Sequence, residues 1–185
     1  MSDFGKRLAL ATPSNQTDWI QYQCFYDTYN NVLSGYPFGE ATTVDDKGNT
    51  VLCNVGMNCY NLVSHVLVDA GANIDPVAVD AGGGCSYFFS HYHLVASADV
   101  QLGDIVLFDF NKNGQYKHSG IITRTGGETD PKKFQMISSD GLVDYFNLGA
   151  AETTVGVFED ILSTHGGVAK DSYNIAFVRP TIEPN

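Results

Sequence analysis

A cysteine opens the stretch Asn58-Cys59-Tyr60-Asn61-Leu62-Val63-Ser64-His65-Val66-Leu67-Val68-Asp69-Ala70-Gly71, and His118 later starts the run His118-Ser119-Gly120-Ile121-Ile122. A thiol and an imidazole within reach of each other can carry out nucleophilic acyl transfer. The imidazole takes the thiol proton and the thiolate attacks a carbonyl carbon. Cys59 falls in the first turn of the helix its stretch predicts. Free N–H groups and the helix dipole favour an anion there and lower a thiol pKa. The ordinary alternative is a small core residue, because free cysteine is among the most buried residue types. Helix position alone favours that alternative.

The choice of base narrows by position. His65 lies on the same helix six residues on and faces elsewhere. His91 and His93 fall in a loose middle stretch, and His165 in a glycine-rich segment. His118 begins a strand directly after a turn, where a side chain projects over a sheet edge. A solvated surface histidine is the ordinary reading of such a position. A third group usually orients the imidazole. Asp140 follows the strand-like Gln135-Met136-Ile137-Ser138-Ser139, although Ser-Asp-Gly is also ordinary turn composition.

Two other patterns carry less. Asp109-Phe110-Asn111-Lys112-Asn113-Gly114 matches the first half of a calcium loop, but Gly120 stands where the closing bidentate Glu is required. A hairpin turn is the stronger reading of Asp109–Gly114. Cys85, His91 and His93 follow no common zinc spacing and sit among aromatics, which points to packing. No metal and no cofactor is expected.

These groups need elements to hold them. Cys59, Leu62, Val63, Val66, Leu67 and Ala70 recur at i, i+3, i+4, i+7, i+8 and i+11, one apolar face of a helix. Asn58 suits its N-cap and Gly71 its C′ position. A further helix is expected over 15–34, starting near Thr17 or Asp18. Residues 35–57 read as loop with a short hairpin around Asp46-Lys47-Gly48-Asn49, and 72–100 as a loose stretch with a short aromatic helix near Tyr87-Phe88-Phe89. Strands follow over 104–110 and 117–124, joined as a hairpin, then over 133–138, 141–146 and 175–179. Helices followed by mainly antiparallel strands make an α+β domain.

The chain has 185 residues, 43% apolar and 17% charged. That fits one folded domain spanning 1–185. A net charge of −11 argues against nucleic acid and against anionic surfaces as partners. No apolar run has the roughly 18 residues that a membrane helix needs. The apolar stretch in MSDFGKRLALATPSNQ is too short for a secretory signal. Cys24, Cys53, Cys59 and Cys85 form no CxxC pair, so mostly reduced thiols are expected.

Taken in order, Asn58-Cys59 opening a helix that ends Ala70-Gly71, then Leu102-Gly103-Asp104-Ile105-Val106-Leu107-Phe108, then His118 before Gly120-Ile121-Ile122, resemble the NlpC-type papain-like cell-wall peptidases, and most closely their amidase branch. The resemblance covers roughly residues 15–180. It implies a papain-like α+β fold, with N-terminal helices and the catalytic Cys59 on a central helix packed on an antiparallel sheet that carries His118. It implies a cysteine amidase acting on peptidoglycan stem peptides, without a cofactor. The family usually has Asp before the cysteine; here Asn58 stands there. Its third polar residue is carried to Asp140, with Ser139 and Ser138 as rivals. The backbone N–H of Cys59 is the candidate oxyanion donor, and Tyr36 the tyrosine that shapes the site. The family includes antibacterial effectors injected by a type VI secretion system. The resemblance therefore also implies a protein made in the cytoplasm, exported by a route other than a signal peptide to the periplasm of a target cell, and blocked by an immunity protein. The same dyad would serve a cysteine hydrolase or acyltransferase on a non-wall amide or ester. The non-enzymatic alternative is a binding module on the same scaffold with Cys59 inert.

Overall fold

The computed structural model describes residues 4, 7, 8, 39–44, 50–55, 59–139, 150–158, 160 and 173–184. The protein is α+β. Its main sheet has six strands in the order β3-β8-β4-β5-β6-β7 and is antiparallel at every pairing. The strands are β3 (His93–Val95), β4 (Ile105–Asp109), β5 (His118–Arg124), β6 (Gln135–Ser139), β7 (Ala150–Thr154) and β8 (Asn174–Arg179). Helix α1 (Cys59–Asp69) packs across β5 and β6. Two short helices follow it, α2 (Pro76–Ala81) and α3 (Cys85–His91).

Helix α1 forms for the reason its spacing predicts. Leu62, Val63, Val66 and Leu67 are fully buried, and each contributes about 1.5–3 kcal/mol by leaving water. Its C-terminus closes in a Schellman motif. Gly71 takes φ 87°, its N–H donates to the Val68 carbonyl, and the Ala72 N–H donates to the Leu67 carbonyl. The Arg7 guanidinium adds a donor to the Ala70 carbonyl at 2.7 Å.

The sheet is covered on both faces. Ile105, Leu107, Ile121, Ile137 and Val178 join α1, α3, Phe4 and Leu8 in one core. Val106, Phe108, Ile122, Met136 and Phe177 join Phe134, Val155, Phe158 and Tyr173 in the other. Period-two alternation explains the division along β4: Ile105 and Leu107 go to one face, Val106 and Phe108 to the other. Such a strand reads as a continuous apolar run because both of its faces are buried.

Some expectations hold and others need correction. The hairpin expected around Asp46–Asn49 is there and longer than expected: β1 (Gly39–Val44) pairs with β2 (Thr50–Val55), six residues each, in register from Gly39↔Val55 to Val44↔Thr50. The stretch 72–100 is well built: α2 has the Asp75 carboxylate as its N-cap acceptor and Pro76 in its first turn. β3 and β7 are additional edge strands of the main sheet. The expected helix over 15–34 and strand over 141–146 lie outside the described residues.

Among the described residues, no helix is long and apolar enough to cross a membrane.

Candidate active site

Cys59 is the first residue of α1, and the fold delivers His118 to it through the β4–β5 hairpin. The turn of that hairpin is built on Asp109. Its carboxylate accepts from the N–H groups of Asn111 at 3.2 Å, Asn113 at 3.3 Å and Gly114 at 2.7 Å. Burial works against the charge, but these donors outweigh it and hold the carboxyl below its ordinary pKa. The segment that resembles half a calcium loop is thus a carboxylate-capped turn. Lys112 and Gly114 sit there at positive φ, 52° and 81°. The chain then re-enters the sheet with Phe108 opposite His118.

His118 is buried, with 6% of its surface exposed. This overturns the solvated-surface reading of a strand-start histidine. Its ring stacks on Phe158, centroids 4.4 Å apart and planes 17° apart, and Phe108 lies 5.8 Å from it. Phe158 belongs to the core on the face opposite α1, while Cys59 packs against the α1 core. At the first residue of β5, the imidazole touches one layer and acts on a thiol of the other.

The Cys59 thiol is held well below the ordinary thiol range. The first cause is a hydrogen bond from Cys85, whose sulfur lies 3.6 Å away. Burial pushes the other way. The charge of His118, its hydrogen bond and the Ser119 N–H all favour the thiolate. The Lys117 carbonyl stands 4.0 Å from the sulfur. Cys85 moves oppositely: its hydrogen bond to Cys59, burial and the neighbouring anion push its pKa well up. The two thiols are thus pushed apart, and Cys59 is the one that ionises first.

Cys85 is the residue that sequence reasoning missed. It opens α3, only 2% exposed, with Ser119 Oγ 3.4 Å from its sulfur. Three contacts place it. Ser86 Oγ accepts from the Tyr116 N–H at 3.0 Å, tying α3 to the β4–β5 hairpin. The Phe89 and Tyr116 rings pack 4.6 Å apart. Gly84, at φ 61°, lies against the Tyr60 ring so closely that a Cβ would come within 2.7 Å of it. The Tyr60 hydroxyl donates to the Asp80 carboxylate, joining the start of α1 to α2. The usable signal in the sequence was the triplet Gly82-Gly83-Gly84 directly before a cysteine, since glycine runs mark close backbone approach.

The remaining candidates divide. Asp140, Asn58 and Tyr36 lie outside the described residues, and Ser139 is placed only as the last residue of β6. Ser138 is buried on the same strand. His65 pairs with Asp69 at 3.1 Å along α1. His91 stacks on Tyr87 at 3.9 Å, and His93 is exposed. Asp104, from the motif Gly103-Asp104-Ile105, is a buried anchor. Arg179 donates to both of its oxygens, at 2.9 and 2.8 Å, fixing β8 beside β4. Among the described residues there is no cluster of three metal-ligating side chains.

A thiol of lowered pKa at a helix start, a buried imidazole that favours its ionised form and a backbone N–H beside it are parts that acyl transfer through a covalent thioester uses. No family model, curated protein or solved structure matches the chain.

Proposed function

We propose that the protein is a cysteine amidase of papain-like, NlpC-type architecture that hydrolyses amide bonds in peptidoglycan stem peptides. The observation that carries the catalytic part is the Cys59 thiol, lowered in pKa at the start of α1 by Cys85 and by the buried His118. His118 takes the Cys59 proton, and the thiolate attacks the scissile carbonyl. Backbone N–H groups at the helix start, that of Cys59 first, receive the oxyanion. His118 then protonates the leaving amine. Water releases the acyl group, with His118 as its base. Asp140 is the proposed orienting residue, with Ser139 and Ser138 as rivals; Asn58 and Tyr36 shape the entrance.

The substrate class rests on the resemblance of Asn58-Cys59, Gly103-Asp104-Ile105 and His118 to that family. The net charge of −11 suits the thin wall of a Gram-negative target better than a phosphate-rich wall. We place the protein among antibacterial effectors delivered to the periplasm of another cell, with an immunity protein that plugs the cleft as its partner. The test is digestion of purified Gram-negative peptidoglycan, read by mass spectrometry. New stem-peptide fragments from the wild type, absent with Cys59→Ala and with His118→Ala, support the reading. A folded wild type that releases no fragments overturns the choice of substrate.

A further inference from the structure

We propose that Cys59 and Cys85 form a peroxide-driven, reversible disulfide that latches the site shut. As a control on hydrolysis this rests on Cys59 being the nucleophile proposed above; the cross-link itself rests on the geometry alone.

The two sulfurs are 3.6 Å apart. A disulfide bond of ~2.05 Å needs them about 1.5 Å closer. Each cysteine is the first residue of its helix, so the shift involves two helix ends rather than the sheet. α3 has only seven residues and is entered through Gly82-Gly83-Gly84, with Gly83 and Gly84 at positive φ. Access is asymmetric. Cys59 is half-buried and within reach of a molecule of peroxide size, whereas Cys85 is sealed in the core. An oxidised Cys59 therefore meets the Cys85 sulfur before any thiol arriving from solvent. The lowered pKa of its thiol favours the first oxidation step.

The oxidant is hydrogen peroxide. The Cys59 thiolate attacks one peroxide oxygen, the O–O bond breaks, and the departing hydroxide takes a proton from the His118 imidazolium to become water. The product is a sulfenic acid on Cys59. The Cys85 sulfur then attacks the Cys59 sulfur. The S–S bond forms, the S–O bond breaks, and the hydroxide leaves with the Cys85 proton as a second water. Two thiols lose two electrons in all, and one peroxide becomes two waters. A dithiol reductant reverses the cross-link.

The experiment is a peptide map of the full-length protein after one equivalent of hydrogen peroxide, quenched by iodoacetamide and kept unreduced. No Lys or Arg lies between Lys47 and Lys112, so the digest cuts before aspartate, which puts Cys53 and Cys59 in 46–68 and Cys85 in 80–98. The expected result is those two peptides joined, lighter by two hydrogens than their sum, with fragmentation placing the bond on Cys59. Alkylation of Cys59 and Cys85 is lost together and returns with dithiothreitol. In Cys85→Ser, Cys59 instead advances to a sulfinic acid that dithiothreitol does not rescue. The proposal is overturned if wild-type Cys59 is over-oxidised or left reduced without the joined peptide, or if the bond falls on Cys53. The mass readout does not depend on wall cleavage. A cross-link in a protein that cuts no stem peptide keeps the disulfide and removes the amidase reading. Cleavage without a cross-link does the reverse.

Discussion

The Cys59 sulfur lies 3.6 Å from the Cys85 sulfur, and this contact is the first cause that pushes the Cys59 pKa down and the Cys85 pKa up. A hydrogen bond to a charged acceptor favours the charged form, here the Cys59 thiolate. Cys85→Ala removes that donor. The pH midpoint of Cys59 alkylation then rises. The sign follows from the thiolate being the species stabilised: without its partner, a higher pH is needed to form it. An unchanged midpoint would show that the contact does not tune the nucleophile.

Phe158 stacks on His118 at 4.4 Å and is itself buried. It cannot take a proton, so its role is to hold the imidazole against the end of β5. Phe158→Leu keeps the site apolar at a stability cost of about 1–2 kcal/mol. It frees the ring to turn away from Cys59. The expected outcome is a lower kcat with KM nearly unchanged, and a raised alkylation midpoint for Cys59. Loss of stability alone, with kcat intact, would make Phe158 merely a core residue.

Gly84 brings α3 against α1. At φ 61°, with a Cβ position 2.7 Å from the Tyr60 ring, Gly84→Ala meets both backbone strain and a clash. Thermal unfolding should show a loss of about 1–3 kcal/mol. The disulfide yield under peroxide should fall as well, because the displaced helix carries Cys85. Gly114→Ala is the control: it also has positive φ, but has no neighbour within 4 Å of its Cβ position. It should lower stability while leaving the disulfide yield as it is.

Asp140 follows β6, the strand paired with β5, and is the residue carried over as the orienting group. Asp140→Asn should reduce kcat by at least about 10²-fold, with Cys59 alkylation still faster than that of the other thiols. Ser138→Ala and Ser139→Ala should each leave kcat within a few-fold. If one of the serine variants loses activity and Asp140→Asn keeps it, the third role belongs to that serine.

Much of the frame was legible because it rests on local pattern. The face of α1 runs over three turns, long enough for its period to stand out. β4 is a continuous apolar run, and the Asp109–Gly114 turn chemistry announces the hairpin with β5. What escaped was short or tertiary. α2 has six residues, too few to display a helical period, whereas α3 falls where the aromatic run Tyr87-Phe88-Phe89 put a short helix. β7, Ala150-Ala151-Glu152-Thr153-Thr154, has little of the aliphatic character that marks a strand and is fixed by pairing with β6. The burial of His118 depends on Phe158, distant in sequence. Cys85 reaches Cys59 across 26 residues through a glycine turn, and no spacing rule gives that contact. Asp104 looked like part of a motif and proved to be the buried partner of Arg179.

The central claim is that Cys59 is a nucleophile activated by His118. The most direct measurement is the iodoacetamide alkylation rate of each cysteine as a function of pH, resolved by peptide mass, in wild type and His118→Ala. The account predicts that Cys59 reacts fastest, with a midpoint well below the ordinary thiol value of 9.0. It also predicts that His118→Ala moves this midpoint up. Cys59 reacting no faster than Cys24, Cys53 or Cys85, with a midpoint indifferent to His118, would contradict it and leave Cys59 a residue of the core.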